Sequence, residues 1–272
     1  MKLKDQLKFN KVNKQAVLAT NFYNFETLTA VLTAAKNEDT PLILQLSESS
    51  IKYLGLNPAI ALCRSMQNEY GVTSWLHLDH GSDMNLIKSC VDAGFDSVMI
   101  DASEKSLKEN IKLSKEIVKY TESYEVNVEA ELGYVAKLGQ SQKAGVFTQP
   151  EEARYFVENT GVDALAVAVG SAHGFYDKTP SLQLDLIEEI DSVVDAALVL
   201  HGSSGIPHDQ VKEAIKKGIT KINLATEIKN IFMMELREVL SRDSEIDLRR
   251  VFPKATSAAV NLVTKKLQMI NS

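Results

Sequence analysis

Histidines are scarce in this 272-residue sequence, and three of the five recur in polar strings that follow apolar runs. His80 ends the string TSWLHLDH, His173 ends AVAVGSAH, and His201 ends LVLH. Three neutral imidazoles that leave one coordination position open suit a catalytic zinc ion, which would polarise a bound oxygen. We therefore predict a shared metal site. His77, which alternates with Asp79, is instead expected to hydrogen-bond inside the fold.

A turn of small residues directly after His201 could receive an anion. The backbone N–H groups and hydroxyls of GSSG (202–205) can approach a phosphate closely. The next apolar run leads into residues 223–226, and many barrel enzymes bind phosphate after their seventh and eighth strands. GSSG alone is an ordinary flexible turn, but its place beside His201 favours a phosphate site. A metal for a carbonyl and an anion site for a phosphate together indicate a phosphorylated ketone as substrate.

Eight short apolar runs alternate with stretches of helical period, and these elements must position the polar residues. The predicted strands span 16–20, 42–46, 74–78, 97–100, 127–131, 164–169, 197–200 and 221–224. Strict alternation implies a parallel sheet, and eight units predict a (β/α)8 TIM barrel, one α/β domain over residues 1–272. A doubly wound open sheet is the alternative, but no G-x-G-x-x-G string follows the first strand. In a barrel the carboxyl ends of all strands meet at one mouth, which would gather the polar residues.

Composition argues against several classes of function. The net charge of -6 and the pI near 5.5 disfavour a nucleic-acid-binding surface. No apolar run approaches the ~18 residues of a membrane span, and MKLKDQLKFN at the amino terminus lacks the apolar core of a signal peptide. Cys63 and Cys90 lie in apolar, helical-looking stretches, as expected of buried free thiols in a reducing cytosol. We expect a cytoplasmic protein that binds neither nucleic acid nor a membrane.

Eight strings spread over nearly the whole sequence resemble one known family. They are NFYNFETL (21–28), PLILQLSES (41–49), HLDHG (77–81), VMIDAS (98–103), VEAELG (128–133), GVDALAVAVGSAHGFY (161–176), LVLHGSSG (198–205) and KINLATE (221–227). In this order they resemble the class II, metal-dependent ketose-bisphosphate aldolases. The similarity is strongest to the shorter branch that contains tagatose-bisphosphate aldolases and bacterial fructose-bisphosphate aldolases.

The resemblance implies a role for each matching residue. His80, His173 and His201 would hold Zn²⁺, and Asp79 would be the catalytic acid that exchanges a proton with the aldehyde-derived oxygen. Dihydroxyacetone phosphate would bind to Gly174, Gly202, Ser203, Ser204, Asn223, Leu224, Ala225 and Thr226, with help from Ser47. Asp101 and Glu131 match positions that hold a second or displaced cation, divalent or monovalent, in some members. Orientation of the ligating histidines is an equal alternative for these two carboxylates.

The implied activity is that of a class II aldehyde-lyase of carbohydrate metabolism, as in glycolysis. Such an enzyme reversibly cleaves a ketose 1,6-bisphosphate of the fructose or tagatose type to dihydroxyacetone phosphate and glyceraldehyde 3-phosphate. Zinc would draw charge from the C2 carbonyl and stabilise the enediolate, and Asp79 would protonate the new alkoxide. Sugar phosphates are thus the expected small-molecule partners, and the resemblance implies a homodimer or homotetramer.

One loop departs from the family pattern. After VEAELG the family usually continues with Gly-Gly and an acidic cluster, whose mobile glutamate moves the substrate proton. This chain reads YVAKLGQSQKAGVF (134–147), and no carboxylate occurs between Glu131 and Glu151. Another group or a metal hydroxide could be the base, the loop could align differently, or the chain could be a paralogue that binds metal and sugar phosphate with weak or no aldolase activity. A metal-dependent barrel hydrolase is a further alternative, disfavoured because the first strand has no His-x-His.

Overall fold

The chain forms a closed barrel of parallel strands in the computed structural model, which describes residues 1–133, 135, 147–174, 176, 180–242 and 244–272. Within these residues the strands are β1 (Val17–Asn21), β2 (Leu42–Ser47), β3 (Ser74–Gly81), β4 (Ser97–Ile100), β5 (Asn127–Leu132), β6 (Ala164–Val167), β7 (Ala197–Leu200) and β8 (Ile219–Leu224). Each strand pairs with the next, and β8 pairs with β1 in parallel. The predicted TIM barrel is confirmed, and most of its strands agree with the predicted ones to within one or two residues.

Helices cover the outside of the barrel and one of its ends. They are α1 (Leu3–Asn13), α2 (Phe25–Asn37), α3 (Glu48–Leu54), α4 (Leu56–Tyr70), α5 (Met84–Asp92), α6 (Leu107–Thr121), α7 (Pro150–Thr160), α8 (Leu184–Val193), α9 (His208–Lys217), α10 (Thr226–Arg242) and α11 (Leu248–Asn271). The last helix packs against both α2 and α10, which joins the end of the chain to its beginning. Across the described ranges, no helix combines the length and the apolar character needed to cross a membrane.

The strands separate two apolar cores. Leu18, Leu44 and their equivalents on other strands pack outward against the helices. Inside the barrel a smaller cluster joins residues at the strand beginnings, among them Val17, to Leu3 and Leu7 of α1. Strands buried on both faces read as continuous apolar runs, which explains strings such as LILQL. Because α1 closes the amino-terminal end, the polar side chains collect at the opposite, carboxyl-terminal mouth.

A reciprocal cap starts the first helix after β1. The side-chain oxygen Oδ1 of Asn24 accepts a hydrogen bond of 3.0 Å from the backbone N–H of Thr27. In return, Oγ1 of Thr27 accepts one of 3.1 Å from the backbone N–H of Asn24. This arrangement satisfies two N–H groups that the helix itself leaves without acceptors. It fixes the turn that follows Asn21, the last residue of β1.

We expect the substitution Asn24→Ala to lower the free energy of unfolding by about 1 kcal/mol, because the N–H of Thr27 loses its acceptor. Asn24→Asp keeps an oxygen at the same place and should stay within about 0.5 kcal/mol of the unsubstituted protein. Urea denaturation followed by circular dichroism measures both variants. Equal losses for alanine and aspartate would contradict the capping role.

Candidate active site

Asp79 and His80 lie at the mouth of the barrel, where the pairing of β3 with β4 is irregular. The register between β3 and β4 shifts between Leu78 and Gly81, and the backbone of His80 is left-handed, with φ of 52°. Residues other than glycine seldom adopt this conformation, and the surrounding structure must hold them in it. Gly81 permits the bend, since a Cβ there would lie 2.6 Å from the carbonyl oxygen of Met99. The bend brings His80 Nε2 to 3.9 Å from Asp79 Oδ1, so two consecutive side chains serve one site.

Three histidines that are far apart in sequence meet at this mouth. The ring centroids of His80 and His173 are 4.9 Å apart, those of His80 and His201 are 4.7 Å apart, and those of His173 and His201 are 5.8 Å apart. One ligand atom from each histidine and one from Glu131 all lie within 4.8 Å of one another. His201 is fully buried, whereas His80 and His173 are half-buried, so the cluster faces outward. Three imidazole nitrogens match the ligands of catalytic zinc sites, which keep a fourth position open, and the Glu131 oxygen lies beside them.

Hydrogen bonds leave one nitrogen of two of these rings free. His80 Nδ1 lies 2.8 Å from Asp101 Oδ2, which leaves its Nε2 free. His201 Nε2 lies 3.0 Å from Glu129 Oε1, which leaves its Nδ1 facing Glu131. Nδ1 of His201 and Oε2 of Glu131 are buried 2.9 Å apart, yet among the described residues neither has a hydrogen-bond partner of suitable geometry. Buried polar atoms normally find partners, so this pair of donor atoms fits a metal ion.

The protonation of the cluster follows from its neighbours. Burial lowers the pKa of His173, and the charges of His80 and His201 lower it further, to about 3. Burial also lowers the pKa of His201, but its hydrogen bond to Glu129 and the nearby carboxylate charges outweigh burial and raise this pKa to about 10. His173 is therefore neutral, with a lone pair available. A metal ion would have to displace a proton from His201.

Beneath the histidines lies an ion pair inside the barrel. Lys221, 1% exposed, donates from Nζ to Glu129 Oε2 at 2.6 Å. Nζ of Lys221 also lies 3.3 Å from Nε2 of His77, whose Nδ1 lies 2.8 Å from Ser97 Oγ. Burial and the charge of Lys221 lower the pKa of His77 to about 3, so this ring is neutral. His77 thus hydrogen-bonds inside the barrel, as predicted, and Glu129 links the ion pair to His201.

Asp79 is held ionised between two carboxamides. Nδ2 of Asn21 donates to Oδ2 of Asp79 at 3.1 Å, and Nδ2 of Asn223 donates to Oδ1 at 3.3 Å. Burial would raise the pKa of Asp79, but the charges of His80, His201 and Lys221 outweigh burial and lower this pKa to about 2. An ionised carboxylate beside the cluster can accept a proton from a bound hydroxyl group.

Asp101 is engaged through both oxygens. Its Oδ2 contacts His80 Nδ1, and its Oδ1 accepts hydrogen bonds from the backbone N–H of Ser103 at 3.3 Å and from the Ser103 hydroxyl at 2.7 Å. A carboxylate on the far nitrogen of a ligating histidine fixes the ring and raises its basicity. These contacts favour the orienting role for Asp101. Glu131, in contrast, lies among the potential ligands themselves.

The predicted phosphate residues end or follow β6, β7 and β8, apart from Ser47, which ends β2. Ser203 and Ser204 are buried, and Ser203 Oγ donates to the backbone oxygen of Asn223 at 2.6 Å. Leu224 ends β8, Ala225 follows it, and Thr226 is the first residue of α10, where backbone N–H groups point out of the helix.

Gly174 and Gly202 both have positive φ, 99° and 64°. Ser47 lies opposite Asp79 in the β2–β3 register, but its hydroxyl also caps α3 by accepting from Ser50 N–H.

Several contributors were not predicted from the sequence. Asn21 contacts Asp79, and the pair of Glu129 with Lys221 supports His201, but the sequence patterns assigned a role to none of the three. Asn21 ends β1, so its position carried the same signal as the other strand ends. Lys221 carried a different signal, as the one charged residue of β8. The loop 134–147, which departs from the family pattern at the expected proton-moving glutamate, lies outside the described residues apart from Val135 and Phe147.

We expect Lys221→Met to lower the free energy of unfolding of the metal-free protein by about 3–5 kcal/mol, because Glu129 would lose its lysine partner and keep only His201 to balance its buried charge. The double variant Lys221→Met/Glu129→Gln carries neither charge and should recover most of that loss. Lys216→Met is the matched control, since the exposed pair of Lys216 with Glu213 contributes about 0–1 kcal/mol. Urea denaturation measures all three, and a single-variant loss no larger than the control's would rule out this account of the ion pair.

Comparison with known proteins agrees with this geometry. The family described as fructose-bisphosphate aldolase class-II matches residues 1–272. The fructose-bisphosphate aldolase of Helicobacter pylori is 35% identical to this chain over 283 aligned residues, covering 93% of this chain and 92% of the relative. The crystal structure of the YdjI aldolase from Escherichia coli K12 has a TM-score of 0.89 and 31% identity, and the match covers 99% of this chain and 97% of that one. The fructose-bisphosphate aldolase of Campylobacter jejuni, 22% identical with a TM-score of 0.84 over 99% of this chain and 94% of that one, shares the fold. The chain therefore belongs to the class II fructose-bisphosphate aldolase family.

Proposed function

We propose that this chain is a zinc-dependent aldolase. It would reversibly cleave a ketose 1,6-bisphosphate of the fructose or tagatose type to dihydroxyacetone phosphate and glyceraldehyde 3-phosphate. The observation that carries the proposal is the convergence of His80, His173, His201 and Glu131 beside the ionised Asp79. A cluster of metal ligands adjoining a proton acceptor is what carbon–carbon cleavage next to a ketone needs.

His80, His173 and His201 are the residues proposed to hold the metal. When bound there, a divalent cation supplies a Lewis acid that polarises the ketone of the substrate and makes the neighbouring carbon acidic. The choice of zinc rests on the donor set, since imidazole nitrogens with a carboxylate are typical of catalytic zinc. Asp101 and Glu129 orient two of the rings through their far nitrogens.

Asp79 carries the proton transfer at the aldehyde end. In cleavage its ionised carboxylate accepts the proton of the C4 hydroxyl, the C3–C4 bond breaks, C4 becomes the aldehyde carbon, and the bonding pair stays with C3. In condensation the proton returns from Asp79 to the new alkoxide. Asn21 and Asn223 hold the carboxylate from both sides while this proton moves.

The anion of the substrate is proposed to bind beside the histidine cluster. The turn Gly202, Ser203 and Ser204 and the segment 223–226 at the start of α10 would provide backbone N–H groups and hydroxyls for dihydroxyacetone phosphate, aided by Gly174 and Ser47. Helix N-termini and turns of small residues bind phosphate through such groups. Sugar phosphates are therefore the proposed partners. A homodimer or homotetramer in the cytoplasm completes the proposal, on the family resemblance.

A second candidate is a paralogue that binds metal and sugar phosphate but turns over slowly or not at all. The specific observation in its favour is that the sequence between Glu131 and Glu151 contains no carboxylate, whereas it does contain Lys137 and Lys143. The two candidates differ in one step. The aldolase would exchange a proton rapidly at the carbon of dihydroxyacetone phosphate that forms the new carbon–carbon bond, and the paralogue would not. Deuterium washout from labelled dihydroxyacetone phosphate separates them, since rapid exchange excludes the paralogue.

Cleavage of the four ketohexose 1,6-bisphosphate stereoisomers, with added zinc and with excess chelator, tests the proposed reaction. We expect the fructose or tagatose isomer to be cleaved, the chelator to abolish cleavage, and zinc or cobalt to restore it, because the histidine cluster acts only when loaded. Full turnover in excess chelator would overturn the metal-dependent reaction.

We expect Asp79→Asn to lower kcat by about 100- to 10,000-fold, because an amide cannot accept the hydroxyl proton. Metal binding should persist, since Asp79 is not among the grouped ligand residues His80, Glu131, His173 and His201. Steady-state kinetics and a metal-binding titration give the two readouts. Asp5→Asn, at an exposed position of α1, is the control and should leave both unchanged. An Asp79→Asn variant with kcat near that of the control would exclude the assigned role.

A further inference from the structure

The hydroxyl of Tyr176 joins two loops at the mouth of the barrel. It accepts a hydrogen bond of 2.7 Å from the backbone N–H of Ala172 and donates one of 2.7 Å to the backbone oxygen of Gly202. Ala172 immediately precedes His173, and Gly202 immediately follows His201. One phenol group thus spans the segments that carry two of the grouped histidines.

The same two loops touch through their backbones. A Cβ on Gly202 would lie 2.3 Å from the carbonyl oxygen of Ala172, a separation that no side chain could adopt. With the phenol of Tyr176 on both backbones, a shift of one loop must displace the other. Interfaces packed this closely tend to move together rather than deform continuously.

The far side of the small-residue turn is fixed independently. The backbone N–H of Gly205 donates to Oε1 of Glu227 at 2.7 Å, and Nζ of Lys266 on α11 donates to the same oxygen at 2.9 Å. Ser203 is tied to β8 through its hydroxyl. The turn 202–205 therefore has firm contacts with β8 and α10, and Tyr176 is its hydrogen-bonded connection to the segment of His173.

We propose that Tyr176 is a positioning residue that couples the metal cluster to the anion-binding turn. Among the described residues, its hydroxyl hydrogen-bonds to the backbones of Ala172 and Gly202 rather than to the histidine rings or the serines of the turn, and it acts by holding these two backbones together. An anion that orders the turn 202–205 then also orders His173, and a metal ion that orders His173 also orders the turn. Linkage requires the two effects to be equal in size. This inference rests on the proposed function, because it takes the histidines as metal ligands and the turn as the anion site.

The test measures metal affinity with and without an anion in the full-length protein. Cobalt binding is titrated by chelator competition, in the absence and in the presence of saturating ethyl phosphate. We expect ethyl phosphate to increase cobalt affinity about fivefold or more, and cobalt to increase ethyl phosphate affinity by the same factor. In Tyr176→Phe, which keeps the ring and removes the hydroxyl, we expect both factors to fall to within about twofold of one.

Controls separate coupling from other effects. Tyr155→Phe, an exposed tyrosine on α7, should keep the full coupling factor. If Tyr176 served only the stability of the fold, Tyr176→Phe would weaken each ligand alone and leave the coupling factor unchanged. An anion that touched the metal directly would likewise keep its coupling without the hydroxyl.

An unchanged coupling factor in Tyr176→Phe overturns the proposal, whichever of these two causes explains it. The proposal is also overturned if, in the unsubstituted protein, cobalt and ethyl phosphate bind without affecting each other, or if one of them does not bind. Because the readout is binding rather than turnover, its outcome is distinct from that of the aldolase assay. If the protein cleaved none of the sugar bisphosphates but still showed coupling that depends on Tyr176, the proposed reaction would be overturned and the proposed role of Tyr176 would stand.

Discussion

The placement of several carboxylates inside one end of the barrel is the constraint on which the site depends. Glu129 and Glu131 share one face of β5, because side chains two residues apart on a strand point the same way, and Asp79 and Asp101 approach from β3 and β4. Removing such charges from water costs several kcal/mol for each ion. Within the described part of the site, Lys221 neutralises one of the four, and the proton that His201 carries in the metal-free protein neutralises a second, so two carboxylate charges remain. The balance of charge therefore favours a cation among the imidazoles.

The ligands of this cluster differ in what holds them. His201 follows β7 directly, and its far nitrogen meets Glu129 on β5, which Lys221 on β8 holds in turn. Three strands of one closed sheet thus determine its orientation, and closed sheets deform little. His173 stands six residues beyond the end of β6, and its segment is placed by loop contacts. Contacts between loops are therefore expected to matter more for His173 than for His201.

How much of this follows from the sequence depends on the kind of contact. The strand–helix alternation and the histidines at strand ends are local patterns, and they were sufficient to predict the barrel and the meeting of His80, His173 and His201. The bend at His80 was not predictable, because it depends on how closely β4 approaches Gly81. The contact between Asn21 and Asp79 joins positions 58 residues apart, and the pair of Glu129 with Lys221 joins positions 92 apart. Such contacts are set by which inward-facing residues share a level of the barrel, and neither periodicity nor spacing in one sequence records that.

The absence of a carboxylate from residues 134–147 affects the proposed proton transfer at C3 more than the proposed proton transfer at the C4 hydroxyl. In the proposed reaction, breaking the C3–C4 bond requires a proton acceptor at the C4 hydroxyl, and Asp79, ionised and held by two amides, is the residue proposed for it. The electron pair left on C3 must then receive a proton from a second group before dihydroxyacetone phosphate can leave. If water supplies that proton, cleavage still occurs, but protonation of the carbanion becomes the slow step and exchange of the labelled carbon slows equally. Since condensation reverses the same steps, a chain that lacked an efficient second group would be slow in both directions while binding its ligands normally. In the proposed reaction, the sequence of this one loop therefore bears on the rate of turnover, whereas the barrel mouth holds the groups proposed for bond cleavage.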